Sequence, residues 1–143
     1  MPEYVPQNTE KSWQKSWEDS KIFNVEFNEE NPKFYCLEMY PYPSGKMHMG
    51  HVRNYSIGDA VARYKRLMGF DVLYPMGFDS FGMPAENAAI AEGGHPHDIT
   101  EKNMASITEQ IKRMGFSYDW RRVVKSHDPQ YYRWNQWFFL KFL

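Results

Sequence analysis

The sequence predicts an α/β fold with a parallel sheet. Residues 34–40 and residues 71–76 are short apolar runs of the kind that form buried strands. Between them, residues 50–68 carry apolar side chains at helical spacing. Strand, helix and strand in close succession form a βαβ unit, whose two strands are parallel.

The first predicted element is a helix over residues 9–23, with Thr9 or the residue before it as the N-cap. A polar, Asn-rich segment over residues 26–33 follows and predicts a loop. Residues 1–33 are therefore interpreted as an N-terminal helix and loop. Residues 34–143 form the second predicted unit.

The central helix of the βαβ unit is predicted over residues 50–68. Its apolar side chains share one face: Ile57, Ala60, Val61, Tyr64 and Met68. Gly69 follows at the position where a helix commonly ends in a left-handed conformation. We interpret residues 77–84, after the second strand, as a loop at the same edge of the sheet as the start of this helix.

Three further helices are predicted after that loop. A short one runs over residues 84–91, with Pro84 in its first turn. The next begins at Asp98, which opens a capping-box pattern, and stops at Gly115. The last begins at Asp128, with a proline in the first helical position.

The last predicted helix is apolar on all sides. Its large apolar side chains are Tyr131, Tyr132, Trp134, Trp137, Phe138, Phe139, Leu140, Phe142 and Leu143. Such a helix must be covered on all sides, and a two-stranded βαβ unit is not a finished sheet. We therefore expect the chain to be the N-terminal part of something larger, or to need a partner.

The composition is that of a globular protein, with 143 residues, 42% of them hydrophobic and 17% aromatic. The net charge of -1 gives no electrostatic sign of a nucleic-acid or membrane partner. A single cysteine, Cys36, excludes an internal disulfide, and its apolar neighbours predict a buried side chain. Without a signal peptide or an apolar run of roughly 18 residues, the expected location is the cytoplasm.

Two histidines, His48 and His51, flank the start of the central helix at a spacing that puts both imidazoles on one side. The unpaired N–H groups of a helix start favour an anion, and Gly50 leaves the backbone open to a flat ligand. Pro43 and Gly45 let the preceding loop turn tightly. This set suits a nucleotide, with the imidazoles donating hydrogen bonds to charge on a phosphoryl group.

Other interpretations of these residues stay open. His48 and His51 could merely cap the helix, or they could bind a metal together with Asp79. The Gly45-Lys46 pair does not make a Walker A loop, because the first glycine and the following Ser or Thr are absent. We interpret the remaining histidines as solvated loop or surface residues: His95, His97 and His127.

Asp79 is the second candidate site residue. Its sequence neighbours are apolar, so its carboxylate is partly desolvated unless it is paired. One fixed anion in an apolar pocket suits an α-amino acid, whose ammonium pairs with the carboxylate while the apolar groups hold the side chain. The alternative is an Asp that accepts hydrogen bonds from the amides of its own loop.

Taken together, these residues resemble the class I aminoacyl-tRNA synthetases, and among them the leucyl-tRNA synthetases of the bacterial type. The tetrad His-Met-Gly-His at residues 48–51 is similar to their signature, conventionally spelled HIGH. Tyr-Pro-Ser-Gly at residues 42–45, Val-Arg-Asn-Tyr at residues 52–55 and the loop over residues 77–86 narrow the resemblance to the leucyl enzymes.

This resemblance implies the first half of a Rossmann-like catalytic domain that activates leucine with ATP and Mg²⁺ as substrate, then passes leucine to tRNA(Leu). His48 and His51 would stabilise the pentavalent phosphate. The implied ATP-binding residues are Pro43, Ser44, Gly45, His48, Gly50, His51 and Asn54. The implied leucine-binding residues are Met39, Tyr40, Tyr42 and Asp79. No tightly bound cofactor and no metal are implied.

The family's second signature, a Lys-Met-Ser-Lys-Ser loop, does not occur in this sequence. Neither does the editing domain, which such enzymes need because one pocket discriminates poorly between small apolar side chains. We therefore expect an N-terminal fragment that contacts tRNA(Leu) only through the rest of a parent protein or a complementing chain. Two rival hypotheses are another nucleotidyl transferase that shares the tetrad, and a non-catalytic binding or assembly module.

Overall fold

The computed structural model describes residues 4–143, which form five α-helices and two pairs of short parallel strands. The helices are α1 (Pro6–Asp19), α2 (Met49–Leu67), α3 (Met83–Glu92), α4 (Pro96–Arg113) and α5 (Pro129–Phe142). The strands are β1 (Lys33–Tyr35), β2 (Asp71–Leu73), β3 (Gly77–Phe78) and β4 (Val124–Lys125). A 3-10 turn spans Trp120–Arg122.

The backbone of residues 71–79 lies at the centre of the strands. On one side β2 pairs in parallel with β1, and the pairing extends to Cys36, whose N–H donates to the Leu73 carbonyl (2.9 Å). On the other side, the Tyr74 carbonyl accepts from the Asp119 N–H (2.9 Å), and β3 pairs in parallel with β4. The predicted α/β class and the βαβ unit β1–α2–β2 are confirmed.

Both predicted strands are shorter than the sequence suggested. Instead of covering residues 34–40, β1 ends at Tyr35, because Pro75 of the partner segment has no N–H to continue the ladder beyond Cys36. In place of residues 71–76, β2 ends at Leu73 because Pro75 interrupts the strand. The chain then pairs again as β3, so the predicted loop over residues 77–84 begins with a strand.

Helices α1 and α4 begin at a proline and not at the polar residue that the sequence predicted as the start. Helix α1 begins at Pro6, three residues before the predicted start, and ends at Asp19. Helix α4 begins at Pro96, so Asp98 lies in its first turn and is not the N-cap. The predicted cap of α5 is correct, since Asp128 accepts a hydrogen bond from the Gln130 N–H (2.9 Å). Proline fits the first turn because it has no N–H to leave unpaired.

The core lies between the strands, α2 and α4. Its buried side chains are Cys36, Ala62, Val72, Tyr74, Met76, Phe78, Met104, Ile107, Ile111 and Tyr118. The predicted burial of Cys36 is confirmed. The N-terminal segment is tied to this core by the Val25 N–H, which donates to the buried carboxylate of Asp119 (3.0 Å).

Helix α5 has no buried residue, and its aromatic side chains are open to solvent, with Trp134 53% and Phe142 85% exposed. No segment within residues 4–143 covers this helix, so the expectation that the chain is part of something larger or needs a partner stays a prediction. Among these residues, none of the helices combines the length and the apolar character that crossing a bilayer requires.

Candidate functional site

The start of α2 is closed by its two histidines. His48 is the N-cap, and its Nδ1 accepts a hydrogen bond from the Gly50 N–H (3.1 Å). In return, the Nδ1 of His51 accepts from the His48 N–H (3.2 Å). This reciprocal arrangement is a capping box in which imidazoles replace the usual hydroxyl and carboxyl groups. The capping role that the sequence left open is therefore present.

These caps also determine which ring nitrogens face a ligand. Because both Nδ1 atoms accept from backbone amides, the proton of each neutral ring lies on Nε2. The two ring centroids are 4.0 Å apart and the rings are tilted by 32°. Two Nε2–H donors thus stand side by side at the helix start. The Gly50 N–H is bonded to the His48 ring, and the His51 and Val52 N–H groups are bonded to the His48 carbonyl, so the expectation of unpaired amides for an anion is wrong at these positions and the imidazoles are the donors that remain.

His51 is held from behind by Tyr55, whose buried ring stacks on the imidazole at 5.8 Å and 27°. Burial, and then the charge of the neighbouring His48, lower the pKa of His51 below its ordinary value. The ring therefore favours the neutral form, which donates from Nε2.

The histidine cap also requires a residue without a side chain at Gly50, apart from any space that the glycine leaves for a ligand. A Cβ at this position would lie 2.8 Å from Cε1 and 2.9 Å from Nδ1 of His48. Any side chain here would push the capping imidazole away from the helix start. The glycine is thus required by the geometry of the histidine pair itself.

A cavity of about 360 Å³ lies beside this helix start. Its walls contain all four predicted leucine-binding residues and one of the two histidines: Met39, Tyr40, Tyr42, Asp79 and His51. The remaining wall residues are Pro41, Tyr55, Phe78, Val124, Ser126 and Tyr131. The structure therefore brings the amino-acid set and the start of α2 together around one space.

The other predicted nucleotide residues lie outside the cavity wall. Ser44, Gly45 and Asn54 are exposed, on the loop before α2 or on its first turns. Pro43 is buried, and its carbonyl accepts a hydrogen bond from Nδ2 of Asn103 on α4 (3.0 Å). These residues border the start of α2 but do not share the pocket of Asp79.

The Asp79 loop is held by a residue from a distant segment. The hydroxyl oxygen of Ser126 accepts from the N–H groups of Ser80 (2.7 Å) and Phe81 (3.0 Å). Asp79 is half-buried, and the Ser126 hydroxyl donates to its Oδ1 at 3.4 Å. Since the loop amides bond Ser126, the carboxylate is not used in the Asx turn that the sequence left open.

The apolar surroundings of Asp79 are only partly as expected. Met76 and Phe78 are buried, as predicted. Phe81 and Met83 are 60% and 68% exposed, and Phe81 stacks on Tyr132 of α5 at 5.3 Å. The apolar wall comes instead from the Met39 and Tyr40 side of the cavity.

Sequence reasoning missed Val124, Ser126 and Tyr131, which close the cavity from the C-terminal side. The two-residue strand β4 is too short to give a periodic signal. Only the pairing of β4 with β3 brings these residues next to Asp79.

Tyr40 is placed by a glycine opposite its ring. A Cβ at Gly77 would overlap the Tyr40 ring, so only glycine lets the ring lie against the strand. Burial raises the pKa of the Tyr40 hydroxyl, and the nearby Tyr35 and Tyr131 add to the effect. The Tyr40 ring therefore stays neutral in the cavity wall.

A buried carboxyl lies beneath α2. Oε2 of Glu38 accepts hydrogen bonds from the hydroxyls of Tyr74 (2.8 Å) and Tyr118, while Oε1 is buried without a hydrogen-bond partner among the described residues. Burial raises the pKa of Glu38, although the two tyrosine hydrogen bonds oppose this. A Cβ at Gly58 of α2 would overlap this carboxyl group, so the helix approaches it closely.

Of the remaining histidines, His95 and His97 are exposed, as predicted, although His97 belongs to a helix and not to a loop. The prediction that His127 is a surface residue is wrong. His95 is the N-cap of α4 and His97 lies in its first turn. The side chain of His127 is only 15% exposed, with Nδ1 2.6 Å from the Ser80 hydroxyl. The alternative metal site of His48, His51 and Asp79 does not form among residues 4–143.

Most of the sequence matches a known protein family. The profile of the family described as tRNA synthetases class I (M) matches residues 34–143. The chain therefore belongs to the class I tRNA synthetases. Within that family, its relatives at 55% to 60% identity are leucine–tRNA ligases, as the sequence resemblance predicted.

Two of these relatives show how much of a longer protein the chain represents. The leucine–tRNA ligase of Thermotoga maritima is 55% identical over 141 residues, which cover 99% of this chain and 17% of that protein. The leucine–tRNA ligase subunit alpha of Aquifex aeolicus is 55% identical over 143 residues, which cover 100% of this chain and 22% of that protein. The chain thus spans about a fifth or less of these curated relatives.

The fold is likewise that of a solved synthetase. The crystal structure of the ternary complex of Agrobacterium radiobacter K84 agnB2 LeuRS, tRNA and LeuAMS matches with a TM-score of 0.91 and 42% identity. The match covers 97% of this chain and 18% of that chain. The predicted Rossmann-like fold of a class I catalytic domain is confirmed.

Proposed function

We propose that this chain carries the leucine pocket and the histidine half of the activating site of a leucine–tRNA ligase. The cavity shared by Asp79 and His51 carries this proposal, because it joins an amino-acid anchor to a phosphate-binding helix start. The leucine–tRNA ligases that are 55% identical over nearly the whole chain support it. The parent reaction is the ATP-dependent formation of leucyl-adenylate, followed by transfer of leucine to tRNA(Leu).

The cavity has the properties that bound leucine needs. Its volume of about 360 Å³ lies within the range of small-molecule sites. The carboxylate of Asp79 would pair with the leucine ammonium, while Met39, Tyr40 and Tyr42 would hold the aliphatic side chain. Because this pairing fixes the ammonium at one end, the leucine carboxylate can point toward His51.

In the first step, an oxygen of the leucine carboxylate attacks the α-phosphorus of ATP, and the bond from that phosphorus to the leaving pyrophosphate breaks. The carboxylate is already ionised, so the step needs no general base. Nε2–H of His48 and of His51 would donate to the phosphoryl oxygens, where negative charge builds up in the pentavalent state. Mg²⁺ enters with ATP as part of the substrate.

The nucleotide would lie over the start of α2, with adenine against Gly50 and the phosphates near Ser44 and Gly45. Asn54 and Pro43 complete the proposed ATP-binding set. These residues border the exposed side of the helix start, so the nucleotide would leave its other face to the rest of the parent protein. That part would supply the opposing phosphate-binding loop and the contacts with tRNA(Leu).

Residues 34–143 would form the catalytic unit, with residues 1–33 as a preceding helix and loop. We place the protein in the cytoplasm, where leucyl-tRNA is used, and the buried thiol of Cys36 is compatible with a reducing compartment. Burial raises the pKa of this thiol, which keeps it protonated and unreactive.

The test is leucine-dependent ATP–pyrophosphate exchange by this chain, mixed with the remaining part of a leucine–tRNA ligase. The substitutions His48→Ala and His51→Ala should each lower the exchange rate by about 100-fold or more, as the loss of a transition-state donor does. His95→Ala is the matched control, because His95 is exposed and caps α4, away from the cavity. Exchange that is unchanged in both variants would contradict the catalytic role.

The exposed aromatic face of α5 favours a second candidate function, a non-catalytic module that assembles with the rest of a synthetase. The same mixture separates the two. If chains carrying both histidine substitutions restore full exchange, the chain contributes assembly and not chemistry.

A further inference from the structure

Two histidines and one carboxylate meet in a cluster that the proposed reaction does not use. His97 and Glu101 are four residues apart in α4, a spacing that puts both on one face of the helix. His127 approaches from the segment between β4 and α5. One ligand atom from each of the three lies within 4.8 Å of the others.

We propose that His97, Glu101 and His127 bind a divalent transition-metal ion of the zinc class. Two imidazoles and one carboxylate are a donor set that zinc accepts, with a fourth position left for water. Calcium and magnesium prefer oxygen ligands alone, so the two imidazoles select against them. This site goes beyond the proposed leucine activation, since none of its three residues lines the cavity of Asp79.

The second ring nitrogen of each histidine has a hydrogen-bond partner, as is usual for histidines that bind a metal. Nδ1 of His127 lies 2.6 Å from the Ser80 hydroxyl, and the Ser80 hydroxyl in turn donates to the Phe78 carbonyl (3.3 Å). Nδ1 of His97 lies 3.2 Å from Oδ1 of Asp98. Partners of this kind fix the ring orientation of metal-binding histidines and leave the other nitrogen for the ion.

His127 and Glu101 face each other at hydrogen-bond distance, with Nε2 of His127 3.2 Å from Oε1 of Glu101. Whichever tautomer His127 adopts, one of its ring nitrogens points at this carboxylate. A metal ion that binds here takes the place of a proton between the two groups.

Lys125 competes with a metal ion for the carboxylate of Glu101. Its Nζ lies 2.8 Å from Oε1 and 2.9 Å from Oε2 of Glu101. The ammonium contacts both carboxylate oxygens, so a metal ion that binds Glu101 has to displace it.

A metal at this position would join two parts of the chain that meet at the Asp79 loop. It would link α4 to the segment after β4, which contains Ser126, the residue that holds the Ser80 and Phe81 amides. The exposed His97 side chain, 61% accessible and with its ring centroid 5.8 Å from that of His127, could turn in to close the site. The ion would thus stabilise the fold next to the leucine pocket.

Calorimetric titration of the metal-free chain with Zn²⁺ tests this site. We expect one strong site per chain, and His97→Ala should weaken it by at least about tenfold, the lower bound for losing even a supporting partner. His97 is exposed, so this variant should fold. Lys125→Met should strengthen binding, because it removes the competing ammonium.

The His48→Ala/His51→Ala double variant is the control for zinc bound at the start of α2. Binding that survives in this double variant and is lost in His97→Ala supports the site. Absence of a strong site, or an affinity that His97→Ala leaves unchanged, overturns the proposal. A thermal unfolding midpoint that Zn²⁺ raises in the double variant but not in His97→Ala would support it independently of the calorimetry.

Discussion

The hydroxyl of Ser126 lies 3.4 Å from Oδ1 of Asp79, although the two residues are 47 positions apart in the sequence. The same hydroxyl oxygen accepts the N–H groups of Ser80 and Phe81. The conformation of the Asp79 loop is therefore set by the segment after β4 and not by the loop itself. It leaves the carboxylate free of its own loop amides and able to face the cavity.

Ser126→Ala should weaken leucine binding, because it leaves two backbone amides of the Asp79 loop without their acceptor. The loss of such a partner costs about 1–3 kcal/mol. We expect a higher KM for leucine and a nearly unchanged KM for ATP in pyrophosphate exchange. Ser56→Ala is the matched control, since that exposed hydroxyl bonds only the Val52 carbonyl of its own helix. Equal leucine KM values in both variants would contradict this role.

Gly77→Ala should disturb the leucine pocket through Tyr40. The added methyl group overlaps the Tyr40 ring, and overpacking of this kind costs about 1–3 kcal/mol. Both the free energy of unfolding in urea and the affinity for leucine should fall. Gly45→Ala is the matched control for stability, because a Cβ there has nothing within 4 Å, and it should leave the free energy of unfolding nearly unchanged.

The parts of the fold that could be predicted are those with long periodic patterns. The bounds of helix α2 were predicted to within about one residue, because the helical periodicity and the following Gly69, with φ of 83°, give independent signals. The face that is buried was not predicted, because the apolar side chains at positions 57, 60, 61, 64 and 68 are exposed and the buried residues of α2 are Tyr55, Asp59 and Ala62. The parallel βαβ arrangement followed from the order of the elements alone. The strand lengths could not be predicted in this way, since β3 and β4 are two residues each and are defined only by pairing with each other.

The part of the site that lies within one short stretch of sequence could be predicted. The pair His48 and His51 lies within one helical turn, so its spacing is readable from the sequence. The contacts of Ser126 and Tyr131 with the cavity depend on how β4 folds back beside β3, which no local pattern encodes. For the same reason, the sequence did not predict that the side chain of His127 is only 15% exposed.

Asp119→Asn should destabilise the chain by about 1–3 kcal/mol at neutral pH. The buried carboxylate accepts from the Val25 N–H (3.0 Å) and from Arg121 (2.9 Å), so it ties the N-terminal segment to the core. Urea unfolding at pH 7 measures this loss. Asp19→Asn is the control. Among residues 4–143 its exposed carboxylate pairs with Lys15 alone, so the substitution should change stability by less than about 1 kcal/mol.

The same carboxylate gives a defined response to acid. Burial would raise the pKa of Asp119, but the hydrogen bonds from Arg121 and Val25 outweigh it and hold the pKa below the ordinary value. Its contribution to stability is therefore fully present above about pH 3.9 and declines as the pH falls through the lower folded value. Asp119→Asn should flatten that part of the stability curve.

Glu38→Gln should change the pH dependence of stability in the direction opposite to Asp119→Asn. Burial raises the pKa of Glu38, so the folded chain favours the protonated form. The wild-type chain should lose stability as the pH rises above about 4.3 toward the folded pKa, because ionisation then acts against the fold. Glu38→Gln should remove this decline and gain on the wild type at pH 7. Exposed Glu29, changed to Gln, should show no such effect.

The lowered pKa of His51 predicts how the proposed activating site responds to pH. Burial and the charge of His48 both disfavour the protonated ring, so His51 stays neutral in the folded chain at pH values where the unfolded chain already binds a proton. Its contribution to stability is thus complete above about pH 6.5 and falls as the pH decreases toward the folded pKa. An NMR titration of the ring protons, compared with the chain in urea, measures the difference.

His48→Ala should move the His51 pKa back toward that of the unfolded chain, because it removes the second cause of the shift while Tyr55 still covers the ring. A His51 that titrates at the same pH in the folded and the urea-unfolded wild type would contradict the prediction. If it holds, Nε2–H of His51 is a neutral donor across the neutral range. The loss of leucine-dependent exchange that protonation of His51 causes should then lie below about pH 6.5, the pKa of an unperturbed imidazole.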